Sequence, residues 1–247
     1  MNADIWTVVW KEYREMFRGP GSRFNVAVLI GTVGLIGVLM PMQQGVGFVT
    51  SPLTLLYCLW IPMLIVPSTI ADSFAGERER HTLETLLAGR LSDRAILFGK
   101  LCGMVLYATG LTIVCLLLGL ISVNVGGGKG HLLLFPAWLA LGSVTTSLLA
   151  SWLFAGLGVL VSLRSPTVQK AQQILAMVTL LPIAPVVALV LLLGDEKLGE
   201  LIVRMASLKP SEVSVVVGAA MLLLLVSDLA VVRISLARFQ RARLILD

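Results

Sequence analysis

Apolar runs of about twenty residues recur along almost the whole chain, and each is long enough to cross ~30 Å of hydrocarbon as a helix. Six can be drawn, at 24–42, 53–71, 101–123, 136–163, 174–193 and 213–232, and only the last holds a charge, Asp228. Composition agrees: 57% of the 247 residues are hydrophobic and 13% are charged, with a mean hydropathy of +0.94. That is more apolar than a soluble core of this size requires. The chain is expected to be one all-α polytopic membrane domain over 1–247, with no room for a separate soluble domain.

Basic residues set the orientation. With the N-terminus in the cytoplasm, 15 of the 19 lysines and arginines fall inside and four, Lys129, Lys197, Arg204 and Lys209, fall outside. The positive-inside rule therefore places both termini in the cytoplasm. The first residues do not read as a cleavable signal, because charges interrupt their apolar residues. Segment 1–20 instead reads as an amphipathic elbow helix, with Trp6, Trp10, Tyr13 and Phe17 on one face and Lys11, Arg14, Glu15 and Arg18 on the other. Such a helix lies in the membrane interface, and Gly19, Pro20 and Gly21 end it. Between Gly194 and Glu212, apolar residues at helical spacing suggest a short helix on the outer side.

Several functions are disfavoured. The net charge of +5 is scattered among apolar spans without an aromatic platform, so no nucleic-acid partner is expected. Cys58, Cys102 and Cys115 lie in apolar runs without metal-ligand spacing, and His81 and His131 fall on opposite sides of the membrane. Neither a metal site nor a catalytic residue is expected. The Gly-Lys pairs at 99–100 and 128–129 lack the P-loop spacing and hydroxyl, so the chain does not bind ATP that way.

One segment stands apart. Residues 72–100 hold ten of the chain's 33 charged residues in a cytoplasmic stretch. Glu77, Arg78, Glu79, Arg80 and Glu84 punctuate Leu83, Leu86 and Leu87 at helical spacing, and Gly89 closes that helix. Ser92 is placed as the N-cap of a new helix that runs into the third span, with Asp93 in its first turn. A solvated connector would have this composition, and so would a rigid lever that docks on a partner.

The stretch ERERHTLETLLAGRLSDRAILFGKL resembles the first intracellular segment of the ATP-binding cassette (ABC) type-2 permease family, of the type V exporter kind. Glu77, Glu79, Arg80, Thr82, Leu83, Glu84, Leu86, Leu87 and Lys100 carry the match. It departs at His81, where glycine is common, and at 89–91, where a proline is common. WKEYREMFR is similar to that family's opening amphipathic helix. The resemblance implies a transmembrane permease subunit of an ABC exporter, not an enzyme by itself. It works as a homo- or heterodimer in the cell membrane of a prokaryote. This chain would hold no cofactor, and ATP and Mg would sit on a separate ATPase subunit. Glu77, Arg78, Glu79, Arg80, His81, Thr82, Leu83, Glu84 and Leu87 would then contact the ATPase, with Ser165, Thr167, Gln169 and Lys170 of the second intracellular loop as a shorter contact.

Pro62 and Pro67, beside Ser68 and Thr69, and Pro182 and Pro185 should kink the second and fifth spans. The resemblance places those spans around a translocation path between protomers. Asp228 has two readings: a carboxylate paired with an arginine near the interface, or a proton or ion site. An ATP-independent secondary transporter or channel, or a membrane scaffold or assembly factor, are the alternative functions. The substrate is not legible in these residues.

Overall fold

The computed structural model describes residues 2–18, 22–80, 92–127, 132–181, 184, 188, 192 and 210–238. Among them there is no strand. Helix α1 spans Asn2–Arg18. Helix α2 begins as Ser22–Thr32, widens into a π-helical stretch, Val33–Leu39, and ends as Met40–Gln44. A short helix α3, Val46–Thr50, packs through Phe48 and Val49 against Val123 and Phe135.

Helix α4, Thr54–Ala71, continues without a break into a second π-helical stretch, Asp72–Gly76, and a final turn, Glu77–Glu79. Helix α5 is Asp93–Gly127, α6 is Ala137–Ser162, α7 is Val168–Leu180 and α8 is Pro210–Arg238. Five helical stretches are long and apolar enough to cross a membrane: Val26–Gln44, Thr54–Glu79, Asp93–Gly126, Ala137–Ser162 and Ser214–Arg238. Nine of the twenty residues of the predicted fifth span, 174–193, lie outside the described residues, Pro182 and Pro185 among them, as does the predicted outer helix up to residue 209.

The core is the junction of α4, α5 and α6, with α1, α2 and α7 around it. The α4–α6 contact is the most extensive. Small residues make it close: a Cβ on Gly158 of α6 would overlap the Cγ2 of Ile70 on α4. Hydroxyls bond across the next pair, Thr112 of α5 to Ser147 of α6 at 2.7 Å, both buried. In lipid there is little hydrophobic drive between helices, so close packing and such bonds hold them together. Near the C-terminal end of α5, the Asn124 side chain donates to the Leu133 carbonyl at 3.0 Å and accepts from its N–H at 2.8 Å, fixing how the chain enters α6.

Three element boundaries depart from the sequence reading, each for a local reason. The second span does not hand over to a separate helix after Ala71, because the backbone stays helical through Glu79. Residues 168–170 form the first turn of α7 rather than loop, because the Thr167 hydroxyl accepts from the Lys170 N–H at 3.3 Å and caps it. Helix α8 runs six residues beyond the predicted end at 232. The expected cap at Ser92 is present: its hydroxyl accepts from Ala95 N–H at 3.2 Å and its carbonyl from Ile96 N–H at 3.1 Å.

Candidate functional site

The middle of α1, the C-terminal end of α4 and the first turns of α5 meet at a buried ammonium. Lys100 of α5 is 0% exposed, and its Nζ lies 2.9 Å from Glu12 Oε1 on α1 and 3.0 Å from Glu77 Oε1 at the end of α4. It also donates to the carbonyl and the hydroxyl of Ser73, each at 2.8 Å. The Ser73 hydroxyl in turn donates to Glu12 Oε2 at 2.8 Å. A cation–π contact with the Phe74 ring, 5.0 Å to its centroid, closes the apolar side.

The backbone makes this geometry possible at two places. A π-helical turn carries its hydrogen bonds one residue further along and leaves a carbonyl to seek another donor. Ser73 lies in such a stretch, and its carbonyl accepts from Lys100. Gly99 and Gly103 flank Lys100 on the face toward α1. A Cβ at Gly99 would stand 2.6 Å from Val8 Cβ, so glycine there lets α1 approach close enough for Glu12 to reach the ammonium.

Lys11 reaches the same centre from the water side. Its Nζ is 2.5 Å from Glu77 Oε1, 3.4 Å from Glu15 and 3.8 Å from Glu12. Burial opposes its charge, but the hydrogen bond that it donates to Glu77 and the attraction of Glu77, Glu12 and Glu15 outweigh it and hold the ammonium above the ordinary lysine value. Glu12, Glu15 and Glu77 bring carboxylate oxygens within 4.8 Å of one another. Two ammonium groups already bridge them, so their chemistry is that of an ion-pair network. Glu77 is only 4% exposed.

The next two residues face the turn between α6 and α7. Arg78 donates to the carbonyls of Leu163 at 2.8 Å and Ser165 at 3.3 Å, at the C-terminal end of α6. Glu79 accepts from the Val168 N–H at 3.2 Å, at the N-terminal end of α7. A cation at a helix C-terminus and an anion at an N-terminus both match the helix dipoles. Ser165 is buried and donates to the Val161 carbonyl at 2.9 Å, while Thr167, Gln169 and Lys170 stay exposed. Arg78 and Glu79 therefore latch the end of α4 to the turn between α6 and α7. Arg80 pairs with Asp72 at 3.5 Å, and both are about half exposed. His81, Thr82, Leu83, Glu84 and Leu87 lie outside the described residues.

Within the helices, Pro62, Pro67 and Thr69 are buried and Ser68 is half-buried. The Ser68 hydroxyl donates to the Ile65 carbonyl at 3.0 Å, and that of Thr69 to Ile65 and Val66 at 2.9 and 3.0 Å. These are local bonds from a hydroxyl to a carbonyl three or four residues earlier in the same helix, which keep both side chains satisfied in apolar surroundings. The exposed stripe of α4 is instead Leu56, Trp60 and Leu64. Asp228 is 6% exposed, and neither of its oxygens has a hydrogen-bond partner. The arginine pairing expected for it is not formed among the described residues.

Sequence reasoning missed Lys11, Glu12 and Ser73. A signal existed for one of them: Glu12 lies on the same helical face as Val8, Val9 and Met16, an acid inside an apolar stripe. The family profile described as ABC-2 family transporter protein matches residues 30–216, which takes in α4 through α7 and the segments between them. No curated protein matches the chain.

Proposed function

The chain belongs to the ABC-2 transporter family, and from that premise we propose that it is the permease subunit of an ATP-driven exporter whose ATPase is a separate polypeptide. Six transmembrane helices follow an interfacial elbow, with both termini cytoplasmic, in the cell membrane of a prokaryote. Two such protomers, alike or different, enclose the path. ATP and Mg stay on the ATPase, and this chain receives the mechanical work.

The observation that carries this reading is the paired attachment at the base of α4. Ion pairs from Glu77 join it to α1 and α5, and Arg78 and Glu79 join it to the α6–α7 turn. A push on the segment that follows Arg80 therefore reaches four helices and the elbow together. Buried ion pairs contribute little net stability, but their breakage is costly, so they transmit displacement without slack. Residues 81–87 are the grip, and Thr167, Gln169 and Lys170 are the second contact.

The test is co-purification with the ABC ATPase expressed alongside. Removing 81–87, which leaves Glu77, Arg78 and Glu79 in place, abolishes association and permease-stimulated ATP hydrolysis while the chain remains in the membrane. Retained, coupled hydrolysis overturns the proposal. Transport that persists in the absence of any ATPase identifies a secondary transporter or channel instead.

A further inference from the structure

The outward side of α1 carries an order of side chains that bracing α5 does not require. At about 100° per residue, Val8, Val9, Glu12 and Met16 fall on the arc buried against α5. On one flank of that arc lie Tyr13, Trp6, Phe17 and Trp10, and on the other lies Lys11. Arg14 and Arg18 stand between the flanks, and both are exposed.

Two contacts orient this helix against the bundle. Tyr13 and Phe17 meet the ring of Tyr107 edge-on, at 6.4 and 5.9 Å. Tyr107 is seven residues past Lys100, about 10 Å further into the apolar length of α5. Lys11 reaches the opposite way, to Glu77. The aromatic flank thus points toward hydrocarbon and the Lys11 flank toward water, which puts the two arginines at headgroup depth. Trp6 and Trp10 are each 64% exposed.

Charge on this face is one-sided. Glu12 is turned inward to Lys100, and Glu15 is paired with Lys11. Arg14 and Arg18 form no ion pair among the described residues. A planar guanidinium matches phosphate oxygens in pairs, and indole rings favour the membrane–water boundary.

We propose that this face of α1 docks on an anionic phospholipid bilayer, with Arg14 and Arg18 receiving lipid phosphates at the level set by Trp6 and Trp10. The proposal rests on α1 being an interfacial helix and adds the class of lipid it selects. Because Glu12 fixes α1 to the ion-pair centre, lipid charge is felt at the base of α4.

Tryptophan quenching in bilayers tests it on the full chain. Brominated phosphatidylglycerol and brominated phosphatidylcholine are compared as quenchers, and the Trp6→Phe/Trp10→Phe variant identifies the elbow's share of the signal. An anionic surface attracts each basic residue by about fivefold, so phosphatidylglycerol is expected to quench that share at several-fold lower mole fraction, with the preference fading in high salt. In Arg14→Gln/Arg18→Gln, folded by circular dichroism, the two lipids become equal. Equal quenching in the native chain overturns lipid selection while leaving an interfacial helix. No quenching by either lipid overturns the interfacial helix as well. A preference unchanged in the double variant removes the arginines from the site.

Discussion

Lys100 shows how one side chain decides the geometry of three helices. Its ammonium is fully buried and compensated by two carboxylates, one carbonyl and one hydroxyl. Replacing it by methionine keeps the bulk but leaves Glu12 and Glu77 facing each other. Removing one partner of a buried pair typically costs 3–5 kcal/mol, so Lys100→Met is expected to destabilise the chain by about that much. Thermal unfolding in detergent, followed by tryptophan fluorescence, measures it. The companion Lys100→Met/Glu12→Gln/Glu77→Gln should recover most of the loss. A single variant as stable as the parent removes the centre from any bracing role. The density of charge at 72–100 was legible in the sequence, but the burial of Glu77 was not. Its partners are 66 residues upstream and 23 downstream, and nothing local to a charged stretch says which charges turn inward.

At the scale of elements, period and caps were the legible part. Ser92 begins α5 where the N-cap pattern put it, and α6 begins at Ala137, one residue past the predicted start of that span. What the pattern missed was continuity: charged residues after Ala71 read as a new element, yet the helix carries on because tertiary partners neutralise Glu77 and engage Arg78. Helix contact was legible only in kind. Small residues on α6 announce close packing, but only the fold pairs Gly158 with Ile70. Gly158→Leu forces α4 and α6 apart and is expected to destabilise by about 1–3 kcal/mol or more, as overpacking does. Gly110→Leu on α5, whose Cβ would meet nothing within 4 Å, is the matched control. Equal thermal unfolding midpoints for the two would contradict the contact.

For the whole molecule, the charge asymmetry makes a claim about sidedness that chemical labelling reads directly. Single cysteines at Lys197 and Arg241, in a background where Cys58, Cys102 and Cys115 are replaced, should respond oppositely to an impermeant maleimide. The first is expected to label in intact cells, the second only after permeabilisation. Labelling of both from outside breaks the proposed six-span arrangement, since an odd number of crossings would then separate 241 from the cytoplasmic elbow.

The wide turn at Asp72–Gly76 has a consequence for how sequences like this one can vary in length. Each residue added to or lost from a helix turns everything beyond it by about 100° and shifts it by about 1.5 Å. Loss of one residue there would let the strand of hydrogen bonds tighten to the ordinary α pattern, yet it would swing Glu77 away from Lys100 and carry Arg78 off the end of α6. The extra residue works as a phase shifter between the body of α4 and its last turn. Insertions and deletions should therefore be tolerated in the outer loops and excluded between Ala71 and Arg80, whatever the residues themselves are.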